Sequence, residues 1–214
     1  MGAPSESRLV FLAAAAAARD VLSEPAVAEH WADQSALARM SVGAVAGHLA
    51  RAAFTVSEYL KAEPPPAARP TASAPEYFGA VLGDADLDSP LHAGVRARSE
   101  AAAADGWAAL VKRFDETVRD LEKSLQDEPA ERHLAVAGGI AMLLDDYLVT
   151  RVVELAVHTD DLAVSAGLDV LPSPGTDVAV SALVDTARLR HGPTAELRAL
   201  ARRERDEVNA LRVV

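Results

Sequence analysis

Residues 140–167 read IAMLLDDYLVTRVVELAVHTDDLAVSAG, the longest apolar-periodic stretch of the chain. At about 100° of rotation per residue, a helix here places four leucines on one narrow stripe that must face a core: Leu144, Leu148, Leu155 and Leu162. The adjoining flank carries polar and aromatic side chains: Tyr147, Arg151, Glu154, His158 and Asp161. The sequence therefore predicts a long helix over 140–167 with one apolar face and, beside it, a flank of side chains that could bind a metal or a substrate.

Glu154 and His158 are four residues apart, so their side chains lie on one side of this helix and can converge on a metal ion. His48, on a separate amphipathic segment, is a third candidate ligand. Two imidazoles and one carboxylate suit zinc and leave a position for water or substrate. The alternative is structural: each histidine bonds a backbone carbonyl, and Glu154 pairs with Arg151. The residues alone leave both interpretations open.

Two further residues of the flank also have two interpretations. Asp161 follows His158 by three residues, and it either hydrogen-bonds a ligand imidazole and fixes its tautomer or faces solvent. Arg151 either binds an anionic group of a substrate or forms a structural ion pair.

Three more long helices are predicted from caps, prolines and apolar periodicity: 5–29, 41–61 and 90–127. Ser41 is the expected cap of the second, and Pro25 is expected to end or kink the first. Residues 67–89 are predicted to form a long irregular connection between the helices at 41–61 and 90–127, called the excursion below. Shorter helices are predicted at three places: 75–82, 178–189 and 194–211. Four long helices predict an all-α fold, a four-helix bundle with extra short helices, and such bundles hold metals between facing helices.

Composition narrows the class of protein. The 214 residues are enough for one domain over 1–214, and the net charge of −11 argues against nucleic acid or an anionic membrane as partner. The chain has no cysteine, so any thiol chemistry must use a thiol from a small molecule. The apolar run at 9–18 is too short to span a bilayer. It is interpreted as part of a cytoplasmic helix, whose alanine-rich surface would suit a homodimer contact.

Two motifs resemble one known family. SVGAVAGHLARA at 41–52 and RVVELAVHTDDLAVSAG at 151–167 are similar to signatures of the mycothiol-dependent maleylpyruvate isomerase N-terminal domain family, part of the DinB-like superfamily. The resemblance implies a DinB-like four-helix bundle that binds a divalent metal, usually zinc. Carried onto this chain, the family's ligands are His48, Glu154 and His158.

The resemblance also implies a reaction type. Characterised members use the metal to lower the pKa of the thiol of mycothiol or a related small thiol, which yields a thiolate near neutral pH. Arg151 would be the catalytic residue that binds an acidic group of the thiol or the substrate. We therefore expect a zinc- and mycothiol-dependent transferase or isomerase that acts on a small electrophilic substrate, in an actinobacterial cytoplasm.

Two departures from the family bear on the substrate. Met40 stands where the family usually has Trp-Thr, and the full-length isomerase carries a further C-terminal domain for which this chain is expected to be too short. Both disfavour maleylpyruvate. Two other functions stay open: a metal-dependent hydrolase in which a bound water attacks the substrate, and a non-catalytic DinB-like binding or stress-response protein.

Overall fold

The computed structural model describes residues 5–66, 69–81, 89–169 and 172–201. Its helices are α1 (Glu6–Leu22), α2 (Pro25–Glu29), α3 (Val42–Lys61), α4 (Ala74–Val81), α5 (Pro90–Ala103), α6 (Trp107–Asp127), α7 (Leu144–Ser165), α8 (Thr176–His191) and α9 (Pro193–Ala201). Two short strands, β1 (His133–Val136) and β2 (Ile140–Leu143), form the sheet of this part of the chain. The prediction of an all-α fold is confirmed.

Four of these helices form a closed ring: α1 packs on α7 and α6, and α3 packs on the same two helices from the other side. The four leucines of the predicted stripe on α7 are completely buried between them. Burial of each leucine side chain contributes about 1.5–3 kcal/mol. Phe11 of α1, Leu49 of α3 and Phe114 of α6 face them in the same core. This core fixes the rotation of α7, so its polar flank always faces the same neighbours.

Several predicted boundaries are confirmed. The Ser41 hydroxyl accepts a hydrogen bond from the Ala44 backbone N–H and caps α3. Pro25 opens the short helix α2, so the first predicted helix is divided there. Gly167 follows α7 with φ of +67°, a left-handed backbone that glycine adopts without strain. The short helix predicted in the excursion is α4.

The single helix predicted over 90–127 is wrong, because Gly106 divides it into α5 and α6. Gly106 has φ of +85°, a conformation that no helix can continue through. The break lets α5 leave the ring and pack on the outer side of α3. Trp107 then starts α6, and its indole N–H donates to the Leu22 carbonyl at 2.8 Å.

The predicted start of the long helix at residue 140 is also wrong. Residues 140–143 form β2, which pairs antiparallel with β1, and α7 begins at Leu144. Gly138 and Gly139 have φ of +71° and +70°, and they turn the chain between the two strands. A short apolar run fits a strand as well as the first turn of a helix, so periodicity could not separate them.

The predicted C-terminal helices are shifted. The helix predicted over 178–189 is α8, which begins at Thr176 and ends at His191, and the helix predicted from residue 194 is α9, which begins at Pro193. The predicted continuation to residue 211 lies outside the described residues. In the part of the chain that the structure describes, no helix combines the length and apolarity needed to cross a membrane.

A buried arginine joins three helices of the ring. Arg8 of α1 donates to the backbone carbonyls of Leu125, Glu128 and Pro129 at 3.0, 2.7 and 2.9 Å, at the end of α6. Its Nε also donates to Asp145 in the first turn of α7, at 2.9 Å. The guanidinium thus satisfies carbonyls that the end of a helix leaves without partners.

We expect Arg8→Met to lower the free energy of unfolding by about 3 kcal/mol, because it leaves Asp145 and three carbonyls without their donor. Urea unfolding measures the loss. The control is Arg19→Met, which removes a partly exposed arginine paired with Asp20 and should cost less than about 1 kcal/mol. Equal losses in the two variants would contradict this role of Arg8.

Candidate metal centre

Three side chains from two helices of the ring meet at one point. Glu154 Oε2, on α7, lies 3.3 Å from His48 Nε2, on α3, and 3.3 Å from His158 Nε2, on α7. The imidazole ring centroids are 4.3 Å apart, with the ring planes nearly perpendicular. Candidate ligand atoms of the three residues all lie within 4.8 Å of one another. The structure thus brings together the three residues that the sequence nominated; that they bind a metal stays a prediction.

Two of these distances match the dimensions of a tetrahedral zinc site. Zinc bonds to nitrogen and oxygen of about 2.0–2.1 Å place neighbouring ligands roughly 3.3 Å apart. The two distances from Glu154 Oε2 have this length already. The three side chains are 16–21% exposed, so the site is reached from solvent. A metal ion held by these three side chains would therefore keep a fourth position for an exogenous ligand.

The tautomer of His48 is fixed from behind by Ser99 of α5. The Ser99 hydroxyl donates its proton to the Val95 carbonyl at 2.8 Å. It must therefore accept a hydrogen bond from His48 Nδ1, which lies 3.0 Å away. With the proton on Nδ1, the neutral ring presents the lone pair of Nε2 to Glu154.

His158 is oriented in the same way by Asp161, whose Oδ2 lies 2.9 Å from His158 Nδ1. A carboxylate only accepts hydrogen bonds, so Nδ1 carries a proton. Of the two interpretations of Asp161, the contact with His158 is the one observed. Imidazole ligands of metals commonly donate their second N–H to a carboxylate in this manner.

This donor set fits a cation. Neutral His48 and His158 would direct two Nε2 lone pairs at one carboxylate oxygen, an arrangement that needs a proton or a metal ion among the three atoms. The structural alternative holds only in part: Arg151 Nη2 lies 3.8 Å from Glu154 Oε1, and Oε2 remains with the histidines. Neither histidine ring has a backbone carbonyl as its described partner; both Nδ1 atoms bond side chains.

Without a metal, the charges around the three candidate ligands favour a proton shared among them. Burial lowers the pKa of His158, but the hydrogen bonds with Asp161 and Glu154 outweigh it and raise the pKa to about 9. Burial raises the pKa of Glu154, yet the two histidines and Arg151 hold it well below its usual range. Burial lowers the pKa of His48. A divalent metal would therefore replace a proton held mainly on His158.

Arg151 lies beside the three ligands in a wall of tyrosines. It is 8% exposed, its Nε donates to Thr150 Oγ1 at 3.0 Å, and its Cζ lies 4.8 Å from the centroid of the Tyr147 ring. Tyr77 packs against the Tyr147 ring from α4, with 6.4 Å between centroids. The excursion thus contributes an aromatic residue next to Arg151. Burial raises the pKa of Tyr77, so its hydroxyl stays protonated near neutral pH.

The roles of two residues at the site were not predicted from the sequence. Ser99 is completely buried, but it is far from His48 along the chain and belongs to no motif. Gly47 allows Ser99 to lie this close to α3. A Cβ at residue 47 would lie 2.2 Å from the Ser99 carbonyl oxygen, so only glycine permits the close approach of α5. The glycine directly before His48 was the one available hint.

The remaining histidines do not join the site in the described part of the chain. His30 is exposed and its Nδ1 lies 2.8 Å from Asp33 Oδ2, while His133 Nδ1 bonds the Glu131 carbonyl. His92 lies in the first turn of α5, where its backbone N–H donates to the Ser89 hydroxyl that caps this helix.

A comparison with protein families adds to the geometry. The family described as Mycothiol maleylpyruvate isomerase N-terminal domain matches residues 11–163, which include the three candidate ligands. The chain belongs to this family. The family match confirms the resemblance drawn from the two motifs. Comparisons with curated proteins and with solved structures give no match.

We expect Ser99→Ala to weaken zinc binding by about 10–100-fold, because His48 loses the partner that sets its tautomer and orientation. Competition with a chromogenic chelator measures the affinity. Thr117→Ala is the matched control, since the Thr117 hydroxyl also donates to the carbonyl four residues earlier but contacts no histidine. Unchanged affinity in Ser99→Ala would exclude this role.

Zinc binding should tighten as the pH rises. Because the pKa of His158 is about 9 in the absence of metal, zinc must displace a proton at any lower pH. The apparent affinity should therefore rise roughly tenfold per pH unit from about pH 6.5 to about pH 8.5. Calorimetry in buffers of different ionisation enthalpy counts the released proton. Asp161→Asn removes a charge that raises this pKa, so the curve should level off at lower pH; identical curves would contradict the assignment.

Proposed function

We propose that this chain binds a divalent metal, most suitably zinc, through His48, Glu154 and His158, and that it activates a small thiol of the mycothiol type. The reaction would be a transfer or an isomerisation on a small electrophilic substrate. Membership of the family supports the thiol chemistry. The metal-dependent hydrolase and the non-catalytic protein are the alternatives that the experiments below separate.

One observation carries the proposal: a carboxylate oxygen lies between two imidazole Nε2 atoms, at 3.3 Å from each, while both Nδ1 atoms are engaged elsewhere. The orientation of both rings is thus set by Ser99 and Asp161 before any metal arrives. Preorganised ligands of this type favour zinc over magnesium, which prefers oxygen ligands.

The bound metal would supply Lewis-acid chemistry that lowers the pKa of a thiol. The chain contributes the rest. Glu154 keeps the site negative, and its low pKa keeps it ionised at physiological pH. The absence of cysteine means that no side-chain thiol competes with the incoming one. Partial exposure of the three ligands gives the thiol a route to the site.

Arg151 is the residue we assign to substrate orientation. Its guanidinium is nearly buried and is held by Thr150 Oγ1, so it is fixed before a ligand binds. The pair with Glu154 is loose at 3.8 Å, longer than a hydrogen bond. An anionic group of the thiol or the substrate can therefore take up the free donor capacity of Arg151, with the tyrosine rings excluding water around it.

Metal content tests the ligand set. The purified protein should contain about one zinc per chain, and His48→Ala should lower its affinity for zinc by more than about 100-fold because a ligand is lost. Elemental analysis after dialysis measures both. His30→Ala is the control, since His30 is an exposed histidine outside the site. Absence of metal in the unmutated protein, even after growth with added zinc, would favour the non-catalytic alternative.

Thiol binding tests the chemistry. In the cobalt-substituted protein, added mycothiol should produce a sulfur-to-cobalt charge-transfer band and release a proton, because the thiol binds as thiolate. Turnover of electrophilic substrates should then require the thiol. Turnover that proceeds equally without any thiol would favour the hydrolase.

A further inference from the structure

A second polar cleft lies outside the metal centre, where α3, α5 and α6 meet. Its volume is about 260 Å³. Three arginines line it, one from each helix: Arg51, Arg98 and Arg113. Phe54 and Thr55 of α3 form part of its wall, and Glu58 is the one acidic side chain among the described residues that line it. Three guanidinium groups against one carboxylate leave a local excess of two positive charges.

This excess is unusual for the chain, whose net charge is −11. Several other arginines of the described residues pair with carboxylates, as Arg8 does with Asp145 and Arg119 with Asp115. Among residues 5–66, 69–81, 89–169 and 172–201, no carboxylate lies within ion-pair distance of the three arginines of the cleft.

Two of the three arginines are constrained by neighbouring groups. Arg113 Cζ lies 4.0 Å from the centroid of the Phe54 ring, a cation–π contact that fixes its side chain over the wall of the cleft. Arg51 is half-buried, and burial, followed by the charge of Arg98, lowers its pKa. The charges of Arg51 and Arg98 repel one another at the half-buried position of Arg51, and a bound anion would relieve this repulsion.

We propose that this arginine cleft binds a small dianion, a phosphate monoester or a dicarboxylate. Guanidinium groups match both chemistries through paired N–H donors. The volume lies slightly below the roughly 300–1,000 Å³ of sites for larger organic ligands, which suits a small anion.

The site is separate from the metal centre, although both use α3. Arg51 follows His48 by three residues, so the cleft begins about one helical turn, roughly 4.5 Å along the axis, from that ligand. None of its arginines contacts a candidate metal ligand in the described structure. Anion binding in the cleft can therefore be tested independently of metal and thiol binding at the proposed metal centre.

Isothermal titration with inorganic phosphate and with succinate tests the cleft, at constant ionic strength maintained with chloride. The unmutated protein should bind at least one probe saturably. Arg98→Gln, and separately Arg113→Gln, should lower that affinity by about tenfold or more, since each removes charged hydrogen-bond donors. The probe that binds identifies the source of the dianion.

Arg119→Gln is the matched control, because Arg119 is an exposed arginine of α6 outside the cleft, paired with Asp115. Its affinity for the probe should stay within about twofold of the unmutated protein. If the anion bound at the metal instead, its affinity would be unchanged in Arg98→Gln and Arg113→Gln. This result would overturn the proposal. So would the absence of saturable binding for both probes, or an equal loss in Arg119→Gln. Zinc content, measured on the same samples, should be unchanged in all three variants.

Discussion

The approach of α3 to α7 around one carboxylate oxygen is the constraint on which this site depends. His48 comes from one helix, and Glu154 and His158 come from the other. A shift of either helix by about one ångström would take the candidate ligands outside the range that a metal tolerates. The core holds this distance, because the leucines of α7 pack against α1, α3 and α6 on the side away from the polar residues.

Burying a carboxylate, two imidazoles and a guanidinium in one place costs free energy unless their charges and hydrogen bonds are matched. Each buried group has a partner: Asp161 and Ser99 hold the two rings, and Thr150 holds Arg151. Tyr147 extends this network into the core, where its hydroxyl donates to Thr55 at 2.8 Å. A ligand that binds only the folded chain here would add its binding energy to stability.

Most of the helices and the three candidate metal ligands could be predicted from the sequence, because both follow from helical periodicity. Leucines spaced along α7 predicted its buried face, and Glu154 and His158 followed on the flank. His48 was a candidate ligand from its place on a second amphipathic segment, and the family motif then indicated the same residue. The features that could not be predicted depend on backbone geometry and on contacts between residues far apart in the chain. Gly106 divides a continuous apolar pattern, and two glycines turn residues 133–143 into a hairpin instead of a helix start. Ser99 reaches His48 only because α5 leaves the ring.

The position of α5 outside the ring has a thermodynamic consequence. This one helix supplies Ser99 to the back of His48 and, at the preceding residue, Arg98 to the arginine cleft. Gly47 lets it lie directly on α3, so no flexible layer separates the two. A ligand that displaced α5 on one side would therefore also move the residue that α5 presents on the other side. Any such displacement would change the affinities of the two sites by the same factor in both directions, as linkage requires.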